Sequence, residues 1–353
     1  MEQIWWKQIT KAKHFIDMVT DAILDNKSVI LSMPAFVPWH ETMYEMIAEI
    51  LNGENSLNRL ISIDCPTGDV GQYLLDNYCK KEKRASYRYG MSYASFLAKS
   101  EDIVLNSSYI WVKAVSGQKL EEWSRFIAEY NKNVPSHMSP AVFILEIQDS
   151  ARKPKAVRGV RHISFSDTID AYDKFTFCAL ASTDIAIRSS LRPYLAEMVS
   201  TICSDDIELC AQCIRRGQAF LRNPADVLSS IIDKECHSDF SPFVMDLDKS
   251  RIDSLIWECQ IKLIFPVIEK YRSRFVSQHQ KEISAALPID NAFGDVITSP
   301  QDVELGHLVQ LVGMGRISLT PRGYQELDLF RKARNDLAHL TPLEYEAVED
   351  ILG

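Results

Sequence analysis

The run at 329–340 reads Leu-Phe-Arg-Lys-Ala-Arg-Asn-Asp-Leu-Ala-His-Leu, and Arg334, Asn335 and His339 within it carry the groups that phosphate chemistry needs. On a helix, Asn335 and His339 are four apart and share a face, with Arg334 on its flank. A guanidinium is a planar fork of donors that fits two phosphate oxygens. An imidazole titrates near neutrality and can take or give a proton. Asn335 can hold the phosphate or fix the orientation of the ring. Cleaving RNA without a metal asks for this set: the 2′-hydroxyl attacks the adjacent phosphorus, the 5′ oxygen leaves, and negative charge builds on the phosphorane between. The same residues have a plainer use as local hydrogen bonds near a helix end, before Thr341 and Pro342. Arg331 and Arg334 would then pair with Glu326 or Asp328.

This spacing resembles the R-x4-6-H signature of the HEPN superfamily, in which a polar residue often follows the arginine. The motif covers one helix. The region from about 251 to 353 fits in general character, with a long first helix, a loop and a final motif helix. The resemblance implies a small helical domain that dimerises and, in toxin–antitoxin, CRISPR and phage-defence systems, frequently cleaves RNA without a metal. Carried over, it makes Arg334 the phosphate clamp, Asn335 the aligner and His339 the acid/base. The composite site would belong to a homodimer, or to a heterodimer with another such protein. Some members lack catalysis, which leaves open a non-catalytic scaffold that uses this domain for dimerisation or docking in a multiprotein defence complex.

The elements that must position these residues follow from composition and pattern. With 353 residues, 46% hydrophobic and 25% charged, the chain has material for two or three globular domains. A net charge of −9 means that the surface as a whole does not attract nucleic acid, so RNA contacts must come from local patches. No run approaches the roughly 20 apolar residues of a membrane span. Residues 1–30 carry Lys, Asp and Glu in place of an apolar signal segment, so a cytoplasmic location away from membranes is expected. Eight scattered cysteines read as reduced thiols of that compartment.

Strands are predicted at 28–33, 59–64, 109–115, 141–147 and 162–165, and helices at 5–24, 41–51 and 121–130. Short apolar runs separated by helices point to a mostly parallel sheet buried on both faces, hence a three-layer α/β domain over 1–185. Helices follow at 189–203, 205–221 and 224–233, with Asp205 as a cap and Pro224 in a first turn. They make a small lid-like helical domain over 186–243, which ends in a polar linker at 236–242. The third domain, a helical bundle over 244–353, starts with a long helix at 251–287, kinked at Pro266. A loop at 288–300 and helices at 302–312 and 323–340 complete it. The expected fold class is therefore α/β plus all-α. The order of sheet domain, helical domain and helical effector resembles P-loop NTPases of AAA+ or STAND type that carry a C-terminal HEPN module.

A phosphate-binding loop needs glycines and a lysine after the first strand. Here Pro34-Ala35-Phe36-Val37-Pro38-Trp39-His40-Glu41 follows, with neither, and its two prolines lack N–H donors. Thr67-Gly68-Asp69-Val70-Gly71 has glycines without a lysine and reads as a turn. Glu146 and Asp64 end apolar strands, where an acid would hold magnesium; without a phosphate cradle they read as structural. The expectation is a degenerate P-loop-like domain that hydrolyses no nucleotide, uses no cofactor and holds the effector in check.

Arg152, Lys153, Lys155, Arg158 and Arg161 form a cationic stretch suited to RNA phosphates or to a solvated loop, and Arg316, Arg322, Arg331 and Lys332 add charge near the hexad. Lys80, Lys81, Lys83, Arg84 and Arg88 alternate with Tyr87, Tyr89 and Tyr93, a pattern that serves base stacking or internal packing equally. Cys210-Ala211-Gln212-Cys213 lies mid-helix without a second such pair and reads as core thiols, with no metal expected. His40, His137, His162, His279 and His307 stand apart, and no histidine–acid pair or hydrolase triad is apparent.

Overall fold

In the computed structural model, which describes all residues except 55–57, 89, 102, 149–153, 204, 247 and 291–295, the chain forms two compact units, Met1–Asp173 and Lys174–Gly353. The boundary expected at 243/244 falls inside the second unit.

The first unit is mixed α/β. It runs through α1 (Glu2–Gln8), α2 (Thr10–Leu24), β1 (Ser28–Met33), α3 (His40–Glu54), β2 (Arg59–Asp64), α4 (Val70–Tyr78), α5 (Lys81–Arg84) and α6 (Tyr93–Lys99). Then come β3 (Ser108–Lys113), α7 (Gly117–Asn133), β4 (Val142–Gln148) and β5 (Val160–Ser164). Ile9, in an extended conformation, splits the helix predicted at 5–24. The five strands pair in parallel in the order β2-β3-β4-β1-β5.

The residues dictate that arrangement. Every residue of β1 is buried, and β3 and β4 nearly so, while the edge strand β2 is partly exposed. Strands apolar on both sides need cover on both sides. Ile30, Ile110, Val112, Phe143 and Leu145 pack with Leu74, Leu97, Trp123 and Ile127 of α4, α6 and α7. Alternation sends Trp111, Ile144 and Glu146 to the opposite face. There Tyr44 of α3 meets Trp111 edge-on, with ring centroids 5.4 Å apart. Gly71 is required where α4 passes α6, since a Cβ would lie 2.5 Å from the Cβ of Tyr93.

The second unit is predominantly helical. α8 (Ala171–Ala181) begins in the first unit and lies mostly in the second, followed by α9 (Arg192–Ile202), α10 (Ile207–Arg216), α11 (Gln218–Arg222), α12 (Pro224–Lys234), α13 (Lys249–Leu263), α14 (Phe265–Gln278) and α15 (Gln280–Ala286). An antiparallel pair, β6 (Ile289–Asp290) and β7 (Val296–Ile297), precedes α16 (Leu305–Gly313), α17 (Pro321–Ala338) and α18 (Tyr345–Leu352). Asp206, not Asp205, caps α10 by accepting from Leu209 N–H at 2.9 Å. Gly217, at φ +50, divides the helix predicted at 205–221. The one predicted at 251–287 breaks at Ile264, just before Pro266, and again at His279. A proline in the helix interior removes a donor and crowds the preceding turn, so the break falls where the ring can occupy a first turn. No helix is long and apolar enough to cross a membrane among the described residues.

Candidate functional site

α17 is framed by its own ends. Thr320 accepts from Gly323 N–H at 3.1 Å, and Pro321 sits in the first turn. Leu327, Phe330, Ala333 and Leu337 are buried at helical spacing, which fixes the face left outside. Phe330 stacks on Tyr271 of α14 with ring centroids 3.9 Å apart. At the other end Trp257 Nε1 donates to Leu337 O at 2.8 Å, satisfying one carbonyl that a helix terminus leaves free. His339 is the C-cap, Leu340 turns left-handed at φ +58, and Thr341 N–H returns to Asp336 O at 2.9 Å.

The hexad sits on this frame. Arg334 and Asn335 are half-buried and His339 is exposed. Arg334 Nη2 meets Glu304 at 3.5 Å. Among the described residues no hydrogen bond joins the side chains of Arg334, Asn335 and His339. Five residues apart, Arg334 and His339 leave the helix about 140° apart in azimuth. One chain therefore offers a phosphate clamp and a proton carrier that do not converge on a common point.

The predicted RNA-binding cations divide. Arg331 and Lys332 both pair with Asp328, at 2.6 and 3.0 Å. Asp328 is held below the usual carboxylate range, chiefly by its hydrogen bond from Arg331. Lys155, Arg158 and Arg161 are exposed in the first unit, with Lys155 3.9 Å from Glu121, so they belong to a different unit from the hexad. Arg152 and Lys153 lie outside the described residues. Tyr87 and Tyr93 stack on each other at 4.8 Å, and Tyr87 also packs edge-on to Phe96. In that stretch the structure brings out internal packing; Tyr89 lies outside the described residues.

A second polar cluster lies near the carboxyl ends of the strands. His40 Nε2 lies 3.2 Å and Trp111 Nε1 2.8 Å from the same oxygen of Glu146. Burial alone pushes the Glu146 carboxyl up; the His40 and Trp111 hydrogen bonds and the charge of Lys113 outweigh it, so it titrates below its ordinary value. In open α/β sheets ligands bind at the carboxyl ends of the strands where the order reverses. Here the chain leaves β1 towards one edge and later returns past it to β5. The loop after β1 buries Val37 and Trp39, the latter left-handed at φ +46, and Pro38 O accepts from Trp6 Nε1 at 3.1 Å. The turn at 67–71 is also occupied. Val70 N–H donates to Glu122 and Gln72 N–H to Asp69, each at 2.8 Å, so carboxylates already hold those donors.

Two hydrogen-bonded histidine–acid pairs are thus present that no motif in the sequence announces. His40 and Glu146 are 106 residues apart, and His237 and Asp206 are 31 apart with Nε2 to Oδ2 at 2.7 Å. No short motif spans either separation. Ser241 Oγ lies 3.0 Å from His237 Nδ1, which completes a serine–histidine–aspartate chain. Its members also close the turn at 236–242: Ser241 Oγ donates to Asp239, and His237 Nδ1 faces Ser241 O at 3.1 Å. The expected linker is therefore a folded turn around a buried histidine.

Cys210 and Cys213 are buried in α10, with Cys203 Sγ 3.5 Å from Cys213 Sγ. Among the described residues no group of three or more His, Cys, Asp or Glu is arranged to hold a metal.

No protein-family model matches the chain, and no curated protein matches it. Function has to be argued from the site.

Proposed function

We propose that the chain is a metal-independent endoribonuclease of HEPN type, active as a dimer, with a non-hydrolysing P-loop-like α/β unit that regulates the helical one. The observation that supports it is the end of α17, where His339 is exposed and Asn335 half-buried while Leu327, Phe330, Ala333 and Leu337 are committed to the core. Because Arg334 and His339 diverge within one chain, a second copy of α17 set against the first would bring one chain's His339 towards the other's Arg334. Arg334 then holds the scissile phosphate, Asn335 aligns it, and His339 carries protons. The 2′-hydroxyl loses its proton and its oxygen bonds to phosphorus. The bond from phosphorus to the 5′ oxygen breaks, and that oxygen gains a proton. The products are a 2′,3′-cyclic phosphate and a 5′-hydroxyl.

The regulatory half of the reading draws support from the parallel sheet and from the filled phosphate-loop position, where Val37, Trp39 and the His40–Glu146 pair stand in place of glycines and lysine. A three-layer sheet domain, a defence or toxin-like role and a cytoplasmic setting belong to this same reading. The experiment is RNA cleavage in EDTA, on tRNA and mixed cellular RNA, with wild type beside His339→Ala. Cleavage by wild type alone, leaving 2′,3′-cyclic phosphate ends, is the expected result. Undiminished cleavage by an Arg334→Ala/His339→Ala double variant would sink the reading. The Arg334–Glu304 pair favours a second one, a non-catalytic dimerisation module of a multiprotein complex. A dimer that captures partners from its native cells and leaves RNA intact would establish that alternative.

A further inference from the structure

A groove of about 730 Å³ runs between α14, α17 and α18. Tyr271 and Phe330, stacked face to face, form its floor. Lys270, Arg274 and Arg322 line it and are exposed, and none of the three has an ion-pair partner among the described residues. Arg274 also stands 5.8 Å over the Tyr271 ring. The cations nearer the hexad differ, since Arg331 and Lys332 are answered by Asp328 and Arg334 by Glu304. In a chain of net charge −9, three cations without an ion pair outnumber the two carboxylates of the groove, Glu326 and Asp350, and leave it a local positive balance that an anion relieves.

We infer that this groove holds the backbone of the single-stranded RNA substrate, with Lys270, Arg274 and Arg322 on its phosphates; the inference rests on the ribonuclease reading of α17. Reach supports it. From Arg322 to His339 the helix rises about 25 Å and the two side chains leave it about 100° apart, so the strand runs from the groove around α17 to the hexad, a length that a short oligonucleotide covers. Tyr271 and Phe330 are only 7% and 6% exposed, too buried to stack with bases, so the groove reads backbone and not sequence. Its two carboxylates, Glu326 and Asp350, are poor neighbours for phosphate but accept hydrogen bonds from 2′-hydroxyls. That chemistry favours RNA over DNA.

The test is made in the full chain with His339→Ala, which separates binding from cleavage. A fluorescent 12-nucleotide single-stranded RNA is titrated by anisotropy at several salt concentrations. Lys270→Gln/Arg274→Gln/Arg322→Gln is expected to weaken binding about tenfold or more and to reduce the slope of log affinity against log salt by about 2, near 0.7 per lost phosphate contact. Lys249→Gln/Lys281→Gln removes exposed charge elsewhere in the unit and is expected to change little; circular dichroism checks the fold of both variants. Equal affinity in the groove variant, an equal loss in the control, or equally tight binding of the matching DNA would each overturn the inference. Should wild type fail to cleave while the groove variant still loses RNA, the ribonuclease reading falls and the groove stands. Should wild type cleave and the groove variant bind RNA as tightly as its His339→Ala parent, the groove alone falls.

Discussion

Near the carboxyl ends of the strands, Glu146, His40 and Trp111 satisfy one another inside the first unit. At the end of α17, His339 is exposed, Asn335 is half-buried, and Arg334 meets Glu304. Both places hold a histidine and hydrogen-bonding groups suited to phosphate or proton chemistry. They differ in what the groups are bonded to. Trp111 is buried, and a buried donor left unpaired costs about 1–3 kcal/mol, so its bond to Glu146 commits the first cluster to stability. A surface group bonded to water can exchange that water for a ligand at little cost. Under the proposed function, the comparison sets a histidine that serves folding against one that serves chemistry.

The sharpest way to break that assignment is at His339. His339→Ala is expected to lower RNA cleavage at least about 100-fold, the scale of a missing acid or base, with the urea midpoint unchanged. A shifted midpoint with cleavage intact would reverse the two roles. Glu146→Ala is the mirror experiment. It strands Trp111 Nε1 and the His40 ring, and is expected to cost about 1–3 kcal/mol in urea unfolding of the first unit.

Because the folded Glu146 titrates below its unfolded value, its contribution is fully present above the ordinary carboxylate range and is lost as pH falls through the folded value. Glu146→Gln should flatten that acid limb of the stability curve. A limb that stays as steep in Glu146→Gln would show that another carboxylate governs it. Trp257→Phe ranks next. It keeps a ring but loses the bond to Leu337 O, and is expected to cost about 1 kcal/mol. A few-fold loss of cleavage should accompany it as the turn carrying His339 loosens.

How much of this was legible in the sequence follows from the range of the interactions. β1 and β2 fall at the predicted residues because their runs are bounded by a turn signal and a charge, and period and boundary are local properties. α17 was legible for the same reason, its apolar stripe running from Leu327 to Leu337. The helices at 70–78, 93–99 and 345–352 were missed because none is longer than nine residues, and tertiary burial decides such short elements. The hexad was legible as a spacing, but its exposure was not. Which face of α17 is buried depends on α14 and on Tyr271, some 60 residues upstream of Phe330, whose ring it stacks against. The His40–Glu146 pair and the meeting of Arg322 with Lys270 and Arg274 were illegible for the same reason: each is assembled from elements far apart in the chain.

The smallest effect bears most directly on the choice between the two functional readings. Arg334 and Glu304 meet at 3.5 Å with side chains 37% and 49% exposed, and a pair in that setting contributes at most about 1 kcal/mol. If Arg334 is a phosphate clamp, Glu304 competes with the substrate for it. Glu304→Gln should then release the guanidinium, raise RNA affinity roughly twofold and leave the unfolding free energy within about 0.5 kcal/mol, the usual range for a surface substitution. If Arg334 instead serves to hold α17 against the segment entering α16, the same substitution lowers the midpoint and leaves RNA affinity where it was. Each outcome moves one assay and leaves the other unchanged. A twofold effect is enough to decide between them, because the larger substitutions remove Arg334 or His339 altogether and cannot say what Arg334 was doing.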